Sequence, residues 1–239
     1  MRGILNGVDY AQWAPSHDPK LAAHYGPERL EGKVDCRKDL LHAFGLDQVS
    51  QDAMVIGMVT RLATQKGLDF LVEIADRLLE RNVVLVALGS GEPYYEEFLR
   101  ELAARKPNEV AAQIKYDNAL AHKIHAGADV FLMPSRYEPC GLNQMYALKY
   151  GTVPVVRATG GLKDTVEEWN PEVASGTGFL FQGYQAQDLL ATLDRALAAF
   201  ADRESWQKLM RNGMAENHSW ERAAREYVEV YNEVLRRRG

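Results

Sequence analysis

Between residues 54 and 181 the chain alternates short apolar runs with segments of helical periodicity. This rhythm constrains the fold more than any other feature. The runs 54–60, 83–88, 110–115, 129–133, 153–157 and 178–181 have strand length and are mostly apolar on successive residues. A strand apolar on both faces must be buried on both faces, a condition met in a parallel sheet covered by helices. The segments between them, 68–81, 93–105, 119–126 and 142–150, read as helices; in the first, Leu68, Leu71, Ile74, Ala75, Leu78 and Leu79 recur at three- and four-residue spacing. Such alternation predicts an α/β fold, a Rossmann-like doubly wound parallel sheet of about six strands. A further helix is predicted over 30–44, with Leu40, Leu41 and Phe44 on its apolar side and Gly45 as its stop. Residues 1–29 read as irregular, because Asn6-Gly7, Pro15, Asp18-Pro19 and Gly26-Pro27 crowd turn signals together. Beyond residue 185 the pattern is mostly helical.

A chain of 239 residues can bury a sizeable core in one large domain or two small ones. Hydrophobic residues at 46% and charged residues at 26% exclude a disordered chain. Lys plus Arg is 28 and Asp plus Glu is 33, a net charge of -5. This disfavours a general nucleic-acid or anionic-membrane binder. No apolar run approaches the roughly 20 residues of a membrane span. Cys36 and Cys140 form no CxxC pair, which points to a reducing, cytoplasmic compartment. The first residues lack the apolar core of a secretory signal and open like the middle of a longer protein.

Ligands of doubly wound folds bind outside the carboxyl ends of the strands, so the loops 61–67, 89–92, 116–118, 134–141 and 158–164 are the candidates. The first holds Arg61 and Lys66, a pair that suits a diphosphate or serves as two solvated surface cations. Gly89-Ser90-Gly91 starts a dinucleotide fingerprint, but Tyr94 occupies the third glycine position and would spoil close helix packing. A tight turn near a ligand is the better reading. His122 and His125 have i, i+3 spacing but no third ligand nearby, and read as surface histidines of a short helix. In Pro134-Ser135-Arg136-Tyr137-Glu138-Pro139-Cys140-Gly141-Leu142, Glu138 lies between a strand and a helix opened by the amides of Gly141, Leu142 and Asn143. That arrangement favours an anion or a sugar hydroxyl, or merely serves the helix dipole. Thr159-Gly160-Gly161 allows backbone amides close to phosphate, or is a plain turn.

Taken together these loops resemble one family, the bacterial glycogen synthases and plant starch synthases. The resemblance rests on Asn6-Gly7-Val8-Asp9-Tyr10 with Trp13 and Pro15, Arg61-Leu62 with Gln65-Lys66-Gly67-Leu68-Asp69, and Leu88-Gly89-Ser90-Gly91. It continues through Ala126-Gly127-Ala128-Asp129, the segment from Pro134 to Gln144, Gly151-Thr152-Val153-Pro154 and Thr159-Gly160-Gly161-Leu162. The motifs run in family order over nearly the whole chain.

The resemblance implies the carboxyl-terminal, nucleotide-sugar-binding half of a GT-B fold over residues 1–239. Residues 1–29 would be the hinge and irregular lead-in, and 219–239 a terminal helix that packs on the amino-terminal half. It implies transfer of glucose, with retention, from ADP-glucose to the 4-hydroxyl at the non-reducing end of an α-1,4-glucan. UDP-glucose is left open by the residues themselves. No cofactor or metal is implied: Arg61 and Lys66 would stabilise the leaving ADP. Glu138 would contact the donor glucose with Cys140 beside it. Gly141, Leu142, Asn143, Thr159, Gly160 and Gly161 would hold sugar hydroxyls and the distal phosphate, and Tyr116 would stack on the base. Many GT-B retaining enzymes carry a second glutamate eight positions after the first, on the ribose; here that position is Tyr146. The glucan acceptor would bind mainly through the amino-terminal half, with no nucleic-acid or membrane partner, and the isolated chain would be nearly inactive. A reading of another class is a stand-alone nucleotide-sugar-binding module without catalysis.

Overall fold

The computed structural model describes residues 3–236. Of the expected hinge and lead-in over 1–29, residues 1 and 2 lie outside them, and of the terminal helix expected over 219–239, residues 237–239 do. After an irregular lead-in, α1 (Glu31–Ala43) precedes the alternating part of the chain: β1 (Met54–Val59), α2 (Leu68–Leu78), β2 (Val83–Leu88), α3 (Pro93–Arg105), β3 (Val110–Gln113), α4 (Asn118–Gly127) and β4 (Val130–Met133). Then come α5 (Asn143–Lys149), β5 (Val153–Arg157), α6 (Gly160–Thr165), β6 (Phe179–Phe181), α7 (Ala186–Ala201), α8 (Arg203–Ala215) and α9 (Trp220–Arg236). The sheet is parallel with order β3-β2-β1-β4-β5-β6. The chain winds outward from β1 in one direction and from β4 in the other, so a crevice opens at the carboxyl ends of β1 and β4.

Alternate residues of each strand supply opposite cores. Leu85, Ile56, Val130 and Val153 share one register row and join α2, α7 and α8. One residue along, Val86 and Phe131 join Leu40, Ile124 and Leu162 on the other side. A one-residue slip would exchange the two sets, so the double burial specifies the register. Local signals place the helix starts: Asp117 and Asp202 cap α4 and α8 by accepting from Leu120 and Ser205 amides, and Pro93 opens α3.

The lead-in is irregular, yet it is anchored. Asp18 is fully buried and accepts from the Tyr150 hydroxyl at 2.6 Å, with His122 Nδ1 also 2.6 Å away. Lys33 donates to the carbonyls of Ala126 and Tyr150 and to the Thr152 hydroxyl, tying α1 to the ends of α4 and α5. Burial pushes its ammonium down to about 8.

Three expectations are corrected. His122 and His125 are not surface residues; they are 1% and 0% exposed, because Trp13 of the lead-in covers His122 and His125 stacks on Phe131. Tyr94 does not disturb the packing of α3, since it points to solvent while Tyr95 and Leu99 enter the core. The loop read over 158–164 is a helix from Gly160 onward.

Candidate active site

Glycines bring the loops at the carboxyl ends of β1 and β4 into contact. Gly67 has φ +77°, and a Cβ there would lie 2.0 Å from the Pro134 carbonyl oxygen, so only glycine allows this approach. The 3-10 turn Thr64–Lys66 is thereby pressed against the loop after β4. Gln65 clips the two together: its carbonyl accepts from the Arg136 amide at 2.9 Å, and its side chain donates to the Tyr137 carbonyl at 3.1 Å.

The outcome is an ion pair between Lys66 Nζ and Glu138 Oε2 at 2.5 Å, with side chains only 21% and 10% exposed. The Ser135 hydroxyl is 3.4 Å from the same carboxylate oxygen. On the other side, the Glu138 carbonyl accepts from the Gly161 amide at 3.0 Å. Gly160, at φ +44°, has no room for a Cβ against that carbonyl. The loop of Glu138 is thus held between the turn after β1 and the start of α6. Asn143 donates from its side chain to the Val59 carbonyl at 2.9 Å, joining α5 to the end of β1.

Beside this pair a cleft of about 390 Å³ opens over the carboxyl ends of β1 and β2. Arg61, Tyr116 and Asn143 line it, together with Gly89, Ser90 and Lys115. Arg61 donates to Gln65 Oε1 at 2.8 Å, which ties the cleft wall to the clip. Tyr116 stands at the rim, 88% exposed. A smaller hollow between β1 and β4 joins Lys66, Ser135 and Asn143. Of the other expected residues, Cys140 and Gly161 touch each other through backbone, where a Cβ on Gly161 would meet the Cys140 carbonyl. The Cys140 thiol accepts from the Asn6 amide at 3.4 Å. Gly141 takes φ +75° ahead of α5. Gly141, Leu142, Thr159 and Gly160 lie on the loop side and do not line the cleft.

Tyr146, at the position that the resemblance puts on the ribose, lines the cleft, and so does Trp13, to which the sequence assigned no role there. Trp13 is sandwiched between Tyr146, at 3.9 Å and parallel, and His122, at 3.7 Å. Trp13 carried a signal as part of a motif, but only the fold brings residues 13, 122 and 146 together. The chemistry on offer is cationic side chains and hydrogen-bond donors at one end of an aromatic-walled cleft, with a carboxylate held against a cation beside it. A second hollow of about 460 Å³ lies at the amino ends of β1 and β4, between α1 and α8. None of the expected site residues lines it.

The family model for glycosyl transferases group 1 matches residues 47–213. Glycogen synthase of Koribacter versatilis is 53% identical over 97% of this chain and 48% of its own length. That of Clostridium botulinum (strain Alaska E43 / Type E3) is 43% identical over 98% of this chain and 49% of its own. The chain spans about half the length of the curated relatives it matches. Among solved structures, the catalytic domain of starch synthase IV from Arabidopsis thaliana, bound to ADP and acarbose, superposes with a TM-score of 0.90 at 34% identity, over 97% of this chain and 48% of that one. The fold, the loops at the crevice and these likenesses agree: the chain belongs to the group 1 glycosyl transferases, as the carboxyl-terminal half of a glycogen or starch synthase.

Proposed function

We propose that this chain is the donor-binding half of a glycogen or starch synthase, moving glucose from ADP-glucose to the non-reducing end of an α-1,4-glucan with retention of configuration. The observation that carries the reading is the Lys66–Glu138 pair at the crevice beside the cleft of Arg61 and Tyr116. ADP occupies the cleft with its base against Tyr116, while Arg61 and Lys66 counter the charge that builds on the leaving diphosphate, so that no metal is required. Glu138 faces the glucose, orienting its hydroxyls and stabilising positive character at the anomeric carbon, an effect stronger in the transition state than in the ground state. The amides around Gly141, Leu142, Asn143, Thr159, Gly160 and Gly161 complete the sugar side, next to Cys140.

The acceptor glucan is held mainly by an amino-terminal half. The exposed row Trp220, Tyr227, Val228, Tyr231, Val234 and Leu235 along α9 supports a docking face for that half, with the lead-in as the hinge. Unpaired Cys36 and Cys140 support a cytoplasmic site of action, and no helix among the described residues is long and apolar enough to cross a membrane.

Titration of the chain with ADP and UDP, followed by glucan-elongation assays with and without the amino-terminal half, tests the reading. ADP should bind weakly and elongation should require both halves. Robust elongation by the chain alone would refute the two-half reading, and ADP binding without elongation even when both halves are present would favour the stand-alone binding module.

A further inference from the structure

The hollow of about 460 Å³ between α1 and α8 lies at the opposite end of the sheet from the nucleotide cleft. Nothing in the proposed reaction uses it. We infer that it is a binding site for an amphipathic organic anion, one carboxylate, sulfonate or phosphate head on an apolar body.

The wall is apolar and fixed in advance. Leu41 of α1, Phe200 of α7, and Trp206 and Met210 of α8 line it, and all four are packed into the fold. Phe200 and Trp206 meet edge to face with centroids 5.3 Å apart. Val34 of α1 lines the same hollow yet stays 52% exposed, an apolar side chain left uncovered at the mouth. A preformed wall of this kind costs little ordering on binding, and the volume lies within the ordinary range of small-ligand sites, about 300–1,000 Å³. The polar groups deeper in are already engaged. Lys33 spends its ammonium on the Ala126 and Tyr150 carbonyls and the Thr152 hydroxyl. Arg37 is paired with Asp129 and donates to the Ala53 carbonyl at 2.5 Å, while Asp129 also accepts from the Val55 amide at 2.8 Å. A ligand body with its own donors and acceptors would leave them unpaired against this wall. A hydrocarbon or plain aromatic body loses nothing there, which separates the ligand from a sugar or a nucleotide.

The rim supplies charge for the head. Among the described residues, the cations Lys33, Arg37, Lys38 and Arg203 line the hollow against two carboxylates, Asp47 and Asp129. Cations are thus in excess here, although the chain as a whole carries a net charge of -5. The excess sits on Lys38 and Arg203, which are loosely held. Lys38 reaches Asp35 only at 3.4 Å. Arg203 reaches the Gln51 carbonyl at 3.4 Å and Asp52 at 3.6 Å, long for hydrogen bonds. Neither Asp35 nor Asp52 lines the hollow, and Asp47, which does, lies 2.8 Å from His42 Nδ1. Arg203 also stands over the Phe200 ring, 3.8 Å from its centre, so its charge borders the apolar wall. A single anionic head between Lys38 and Arg203 displaces only weak surface contacts, while its body covers Val34, Leu41 and the two rings.

The test is fluorescence titration of the 239-residue chain with anilinonaphthalene sulfonate and, separately, with its uncharged parent phenylnaphthylamine. The sulfonate should bind about tenfold more tightly than the parent, or about 1.4 kcal/mol. Lys38→Glu combined with Arg203→Glu should erase that preference and leave the parent's affinity in place. Should the double variant not fold, Lys38→Gln alone, at a mostly exposed side chain, should cut the preference about threefold. Val34→Asp should weaken both probes, and saturating ADP should displace neither. Equal affinity for the two probes, a preference that survives the charge changes, unaltered binding in Val34→Asp, or displacement by ADP would overturn the inference.

Discussion

Removing Lys66 and Glu138 one at a time and together should reveal how strongly the fold couples them. Their atoms are 2.5 Å apart, and the side chains are 21% and 10% exposed, between a surface pair worth about 0–1 kcal/mol and a buried one whose disruption costs about 3–5. Lys66→Ala leaves a nearly buried carboxylate with the Ser135 hydroxyl, at 3.4 Å, as its remaining side-chain contact, so a loss of about 2–3 kcal/mol is expected. Glu138→Gln keeps the shape and removes only the charge, and the ammonium of Lys66, more exposed than its partner, tolerates that better, at about 1 kcal/mol. The double variant should cost about 1–2 kcal/mol less than the sum, since neither partner is then stranded. Urea unfolding of the four proteins measures this directly, and each kcal/mol should move Tm by about 2–4 °C in a chain of this size. Additivity within about 0.5 kcal/mol would show that the two groups do not interact, and the argument for a held carboxylate would collapse.

Joined to its amino-terminal half, Arg61→Ala should lose about 2–4 kcal/mol of transition-state stabilisation, read as kcat in an elongation assay. In that same enzyme Glu138→Gln should abolish most turnover with ADP affinity little changed; a parallel loss of affinity would mean that Glu138 supports the loop only. Gly67→Ala forces a side chain into left-handed backbone and against the Pro134 carbonyl, so unfolding experiments should show a loss well above 1 kcal/mol. Trp13→Ala removes two stacking contacts of about 0.5–1.5 kcal/mol each, and should both lower Tm and weaken ADP binding. Burial, with His122 and Lys33 nearby, pushes His125 down to about 3. The unfolded chain takes up a proton below about pH 6.5 that the folded chain refuses, so stability present at neutral pH falls on acidification by up to about 1.4 kcal/mol per pH unit from this group. His125→Phe should flatten the slope of unfolding free energy between pH 6 and 4, and an unchanged slope would exclude this origin.

The strands were legible because most are apolar on both faces and all are bounded by turn residues or helices; the edge strand β3, Val-Ala-Ala-Gln, is the weakest of them. Their limits moved by at most two residues, the largest shift being β3, which ends at Gln113 and not Lys115. The lysine leaves the ladder where the chain turns toward the cleft. Helix α6 was not legible, since it is six residues long and opens with two glycines. The site was partly legible. Arg61, Lys66 and Glu138 follow strands, and position along an α/β chain already says which end of the sheet they occupy. The stacking of Trp13 on Tyr146 and the burial of the histidines were not, because these environments depend on contacts such as Asp18 with Tyr150, 132 residues apart. Periodicity carries no information about partners at that distance.

The structure of the chain with ADP tests the central claim most directly. The account predicts one ADP in the cleft over the carboxyl ends of β1 and β2, its base beside Tyr116 and its diphosphate within hydrogen-bond reach of Arg61 and Lys66. ADP in the larger hollow between α1 and α8, against Arg37 and Trp206, with the Tyr116 cleft left empty, would contradict it.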